Sequence, residues 1–244
     1  MSPPVFLADP DLLAGGDRVV LDGPEGRHAA TVRRLRAGER VDLTDGLGLM
    51  AECTVIAADK ASLSLEVQTR HRHPRPEPRL VVVQALPKGD RGELAVETMT
   101  EVGVDEIVPW AASRCVTQWK PERREKSLGR WRSTAREAAK QARRAWLPQV
   151  AELATTAQVA ERISAASRAL ILHEEASAPL SAVEPPPDGE IIMVVGPEGG
   201  ISDEEIARFT EAGARPVLLG PTVLRTSTAG VAAASVLLAA TGRW

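Results

Sequence analysis

The sharpest chemical signal in the chain is Val194-Val-Gly-Pro-Glu-Gly-Gly-Ile-Ser-Asp-Glu-Glu. An apolar strand pattern ends at Gly196, a glycine turn follows, and a helical pattern opens near Asp203. Ser202 and Glu205 there have the spacing of a capping box. Open α/β sheets bind ligands at the carboxyl ends of their strands. Glycine at such a turn permits positive φ and lets a ligand approach the backbone with no Cβ in the way. A tight turn that binds nothing is the competing reading. A second run, Val217-Leu-Leu-Gly-Pro-Thr-Val-Leu-Arg-Thr-Ser-Thr-Ala-Gly, ends another strand in Gly-Pro and leads into a helix of small residues. Arg225, at the loop-to-helix junction, is a fixed cation that suits either an ion pair or a developing anion. Ser227 stands at the start of the helix, where a hydroxyl can cap free N–H groups. Neither G-x-G-x-x-G nor G-x-x-x-x-G-K-[ST] occurs, which argues against dinucleotide and NTP phosphate sites.

A separate segment carries charge of one sign. Ten Lys or Arg residues stand against three Glu from Lys120 to Arg144. Helical periodicity gives an apolar stripe of Leu128, Trp131, Ala135, Ala138, Ala142 and Trp146, with Arg132, Arg136, Lys140 and Arg143 beside it. A solvated face is the ordinary explanation for a charge run. The shortage of acidic i,i+4 partners favours a polyanion, RNA, instead. Arg27, His28, Arg33 and Arg34 would extend the track, and Lys88 is placed with them. Tyrosine is absent and only two Phe occur, so stacking of single-stranded bases is poorly provided for. Recognition of folded RNA by shape and phosphate fits better.

These groups need elements to hold them. Alternation at Arg40–Thr44, Met50–Ile56 and Ser62–Val67, with a turn at Asp45-Gly46, reads as a small β-barrel or sandwich over residues 1–72. The charged, proline-rich stretch Thr69–Pro78 reads as extended, with residues 73–78 as the linker between domains. Residues 79–244 then alternate apolar strands with helices, the pattern of a parallel sheet covered on both faces. The strands are Leu80–Leu86, Glu106–Trp110, Ala169–His173, Ile191–Val195 and Pro216–Leu219. The helices are Gly92–Val102, Pro121–Trp146, Ala157–Ala165, Asp203–Ala212 and Thr226–Thr241. The net charge of −3 excludes a globally basic protein. No secretory or membrane-spanning segment is evident. Two distant cysteines give no disulfide framework, so a cytoplasmic setting is expected. His71 and His73 lack companions at metal spacing, and no metal site is expected.

Taken together, GPEGG and LGPTVLRTSTAG resemble the SPOUT class of RNA methyltransferases, and within it the 16S rRNA (uracil-N3)-methyltransferase family. HAATVRR at His28–Arg34, QALPK at Gln84–Lys88, ETMTEVG at Glu97–Gly103, REAAKQAR at Arg136–Arg143 and LHE at Leu172–Glu174 are similar to blocks of that family. Where the family commonly carries an acid, this chain has Ser227. The resemblance implies a PUA-like amino-terminal domain and a trefoil-knotted carboxyl-terminal domain, working as a homodimer on the small ribosomal subunit. It also implies S-adenosylmethionine, held by Leu172, His173, Gly196, Pro197, Glu198, Gly199, Gly200, Ile201, Leu218, Leu219, Gly220, Leu224, Arg225 and Thr226. For methylation at uridine N3, Arg225 is the expected catalytic cation opposite the forming imide anion, and Glu198 and His28 are candidate proton acceptors. The competing readings are a ribosome-assembly protein that keeps the fold without catalysis, a SPOUT enzyme with another RNA target, and an α/β enzyme for a different adenosine ligand.

Overall fold

Strands in the first part of the chain bury every second side chain. The computed structural model describes residues 2–244, which form two compact units: residues up to 75 with 139–147, and residues 76–138 with 148–244. In the first unit Val5–Leu7 (β1) precedes a short helix Pro10–Ala14 (α1), then come Arg18–Leu21 (β2), helix Gly23–Arg27 (α2) and a π-helical turn His28–Val32. Arg40–Thr44 (β3), Leu49–Ala58 (β4) and Leu63–Arg72 (β5) complete a sheet of order β1-β3-β4-β5-β2, antiparallel except for the β1–β3 pair. Val41, Leu43, Ala51, Leu63 and Leu65 are inaccessible and form its core. The stretch from Thr69 begins extended, as expected, and its first residues belong to the sheet. β5 stays paired with β4 through Arg72, and the Arg70 guanidinium holds the carbonyls of Leu13, Gly15 and Gly16.

The second unit contains Arg79–Ala85 (β6), Arg91–Val102 (α3), Glu106–Trp110 (β7), Pro121–Gln141 (α4), Gln149–Val150 (β8), Thr156–Ala165 (α5), Arg168–Leu172 (β9), Glu190–Val195 (β10), Asp203–Glu211 (α6), Arg215–Val217 (β11) and Thr226–Ala240 (α7). α4 starts in this unit and ends in the other. The sheet order is β11-β9-β10-β6-β7-β8, with every pair parallel. Its inner strands β9, β10, β6 and β7 are buried on both faces, as continuous Val, Ile and Leu runs require. The chain steps from β6 outward through β7 to β8, then crosses to β9 and fills in β10 beside β6. That reversal makes a switch point between β6 and β10, where α/β sheets bind ligands. α7 packs against α3, β6 and β10. A Cβ at Gly230 would lie 2.7 Å from the Met99 sulfur, so glycine is what allows the close approach. The small residues of α7 are thus used within the chain.

Helix α4 ends at Gln141, short of the expected Trp146. Arg143 adopts a left-handed φ of 57°, and its guanidinium is held by the Pro3 carbonyl and the Asp42 carboxylate. Those bonds stabilise a helix end that no Gly or Pro announces. Cys53 and Cys115 are buried free thiols; burial pushes Cys53 up to about 11. No helix among the described residues is long and apolar enough to cross a membrane.

Candidate active site

Three loops at the carboxyl ends of β9, β10 and β11 meet around one cavity of about 740 Å³. β9 delivers Leu172 and His173, β10 delivers Gly196, Pro197, Glu198, Gly199, Gly200 and Ile201, and the chain after β11 brings Leu218, Leu219, Gly220, Leu224, Arg225 and Thr226. All fourteen residues expected around the cofactor share this cavity. Gly200 turns with φ +75°, and a Cβ on Gly199 would press to 3.2 Å on Arg114. A Cβ on Gly220 would meet nothing within 4 Å, although Gly220 lines the cavity. Gly196, Gly199, Gly200 and Gly220 thus leave four wall positions without a side chain, where a ligand can approach the backbone closely.

The GPEGG turn is fastened from behind. Ser202 and Glu205 form the capping box expected from their spacing. The same Glu205 carboxylate accepts from the Ser113 amide at 2.8 Å, the Ser113 hydroxyl at 2.9 Å and the Thr156 hydroxyl at 3.1 Å. Burial opposes its charge, but the hydrogen bonds from Ser113 and Ser202 outweigh burial and hold its carboxyl below the ordinary value. On the open side the Lys88 amide donates to Glu198 Oε1 at 3.1 Å, leaving Oε2 without a hydrogen bond among the described residues. His173 accepts from the Glu175 amide through Nδ1.

Arg225 is the N-cap residue of α7, and its carbonyl accepts from Thr228 and Ala229. Its side chain is exposed at the cavity and has no partner among the described residues. Ser227 departs from expectation. It is the second residue of α7, 1% exposed, and its hydroxyl caps nothing and meets no partner among the described residues. Arg114 was not singled out by sequence. It lines the cavity and its guanidinium lies 3.4 Å from the Gly199 carbonyl. A cation in the loop just after a parallel strand was the signal available for it.

The expected RNA residues fall into two groups. Arg27, Arg33, Arg34, Lys88 and Arg136 are exposed. Lys140 is not: its side chain is 4% exposed and bonds both oxygens of Glu25. It cannot serve as a phosphate contact while it neutralises a buried carboxylate. Arg143 is tied down as described, Arg132 bonds the Val150 carbonyl and Glu152, and His28 packs edge-on against Phe6. The track read from the helical period is thus thinner than its charge count. Among the described residues no group of three or more His, Cys, Asp or Glu is placed to hold a metal.

Residues 74–238 match the RNA methyltransferase domain family, and residues 21–68 match the RNA methyltransferase PUA domain. A ribosomal RNA small subunit methyltransferase E of Mycobacterium tuberculosis is 46% identical over 233 residues, covering 94% of this chain and 89% of its own. The chain belongs to this RNA methyltransferase family. A second methyltransferase E, from Bacillus subtilis, is 29% identical, covering 89% of this chain and 88% of its own. Among solved structures, a ribosomal RNA small subunit methyltransferase E from Neisseria gonorrhoeae bound to S-adenosyl methionine superposes with a TM-score of 0.84 at 26% identity, covering 98% of both chains. A methyltransferase from Legionella pneumophila, in complex with bound cofactor SAM, gives 0.85 at 28% identity over 98% of each chain. As a methyltransferase of this family, the chain has its glycine turns where ligands of parallel sheets sit.

Proposed function

We propose that the protein transfers the methyl group of S-adenosylmethionine to N3 of a uridine in the 16S rRNA of the small ribosomal subunit. The observation that carries this reading is the convergence of the β9, β10 and β11 loops on one cavity with four glycines in its wall and Arg225 unpartnered at its edge. Bound there, S-adenosylmethionine supplies an electrophilic methyl on a sulfonium. The residues fit it: the glycine turns leave room against the backbone, and the GPEGG and Leu219–Gly220 segments bring main-chain groups to the cavity.

Uridine N3 must lose its proton to become a nucleophile, and charge then spreads over the imide. Arg225 stays protonated and places fixed charge opposite that anion. Of the carboxylates at this cavity, Glu174, Glu175, Glu198 and Asp203, we place Glu198, with Oε2 free, as the one that accepts the proton. The new N3–C bond forms as the sulfonium–methyl bond breaks, and S-adenosylhomocysteine leaves. We infer in addition that the chain after β11 is knotted, as the family resemblance implies, and that two copies associate in the cytoplasm. Ala229, Val231 and Val236 of α7, only partly buried, are suited to meet a second copy.

Calorimetry tests the pocket. Wild-type protein should bind S-adenosylmethionine without added metal, and Gly199→Val should lose that binding while remaining folded. Normal binding by Gly199→Val would remove the pocket from this role. Light scattering should give a dimer at micromolar concentration; a fully active monomer would reject association.

A further inference from the structure

A second cavity, of about 600 Å³, opens beside the first on the other side of the switch point. The β6–α3 loop, the 117–120 loop and the start of α4 enclose it. Two features tie it to the active site. Pro87 and Gly89 line it, while the amide of Lys88 between them holds Glu198 of the cofactor-side cavity. The loop after β7 contributes Arg114 to the first cavity and Thr117, Gln118, Trp119 and Lys120 to the second.

The chemistry of its walls is specific. Two of the five tryptophans, Trp119 and Trp131, meet there edge to face, 5.1 Å between centroids at 85°. Trp131 is 3% exposed and lines the cavity by one edge. Gly92, whose absent Cβ would sit 2.8 Å from the Trp131 Nε1, also lines the cavity, so the indole edge forms part of the wall. Lys120 and Arg123 stand on the rim, exposed and without partners among the described residues, whereas Arg130 is engaged by Glu93 at 3.5 Å. Aromatic surface and two free cations are complementary to a flat heterocycle and a phosphate. Glu93 and Glu122 also line the cavity, Glu93 paired with Arg130, so the positive charge left for a phosphate lies at Lys120 and Arg123.

We propose that this cavity receives one unstacked nucleotide of the RNA substrate, its base against Trp119 and Trp131 and its phosphate at Lys120 and Arg123. The inference rests on the methyl-transfer reading above and extends it to how the RNA strand is held open beside the reacting base. Stacking on tryptophan is tolerant of sequence and contributes substantially per base, and unstacking at the reacting position is what a base-modifying enzyme must arrange. It runs against the expectation from composition that stacking of single-stranded bases is poorly provided for. Scarcity of aromatic residues in the whole chain says nothing about where the few of them gather.

The test uses the full chain with a short oligouridylate as probe, read by tryptophan fluorescence, alongside calorimetry with S-adenosylmethionine and single-turnover methyl transfer to small-subunit RNA. Trp119→Ala should weaken oligouridylate binding about tenfold or more and lower kcat/KM for RNA in step, with cofactor affinity unchanged. Trp119→Phe should restore most of the loss. Lys120→Ala with Arg123→Ala, both exposed and without structural duty, should weaken binding and reduce the log–log salt slope by roughly 0.7 per contact. Wild-type-like RNA binding and kcat/KM in these variants would overturn the proposal. So would a loss confined to S-adenosylmethionine, which would make the cavity part of the cofactor site. A wild-type protein that binds oligouridylate through Trp119 but methylates no RNA would leave this pocket standing and remove the catalytic reading instead.

Discussion

Arg225 and Ser227 lie two residues apart at the start of α7 in opposite situations. Arg225 is exposed at the cavity with its guanidinium unspent, and Ser227 is sealed inside with an unsatisfied hydroxyl. Removing the proposed cation should act in the transition state more than in the bound state. Arg225→Ala is expected to lower single-turnover methyl transfer by about 10²–10³, the scale for loss of one preorganised stabilising group, with cofactor binding retained. Ser227→Ala removes a buried hydroxyl that bonds nothing, so chemical denaturation should show a change within about 0.5 kcal/mol or a slight gain. Transfer by that variant should stay within roughly tenfold. An inactive Ser227→Ala beside an active Arg225→Ala would reverse the assignment. The role of Arg225 could be framed from sequence because a lone arginine among apolar and hydroxyl residues is conspicuous. The situation of Ser227 could not, because helix-start spacing does not reveal which face of the first turn is sealed against β6 and α3.

At the scale of elements, α4 shows where periodicity misleads. Leu128, Trp131, Ala135 and Ala138 are buried as their spacing demands. Lys140, on the expected basic face, is turned instead into a pair with Glu25, because the helix changes its surroundings between Ala138 and Ala139. Lys140→Ala should therefore cost about 3–5 kcal/mol of stability, the usual penalty for stranding one partner of a buried pair. The salt slope of RNA binding should not move. A slope that fell with stability intact would return Lys140 to the RNA surface. The GPEGG turn depends likewise on Glu205. Its folded pKa is depressed, so its contribution is present above the unfolded value of about 4.3 and is lost as pH falls through the folded pKa. Glu205→Gln should flatten stability against pH in that acidic window, measured by denaturant titration. A variant with an unchanged acid profile would show that the carboxylate charge is not what holds the turn.

Across the whole molecule, the alternation of apolar strands and helices was sufficient to read a parallel sheet with ligand turns at its carboxyl edge, since strands buried on both faces leave no other pattern. The exchange of 139–147 into the amino-terminal unit was not readable, because it depends on Arg143 finding Pro3 and Asp42 far away in sequence. The second cavity was equally hidden: Trp119 and Trp131 are separated by a loop and three helical turns, and only the fold brings them edge to face. What unites the molecule is one claim, that the glycine-lined cavity delivers a methyl group to a uridine in structured RNA. Small-subunit RNA should be incubated with the protein and S-adenosylmethionine labelled in its methyl group, and the labelled residue isolated and mapped. The account predicts label at N3 of a uridine, abolished by Gly199→Val and lowered about 10²–10³ by Arg225→Ala. Label on a carbon or a ribose oxygen, or none at all with a folded, cofactor-binding protein, would contradict it.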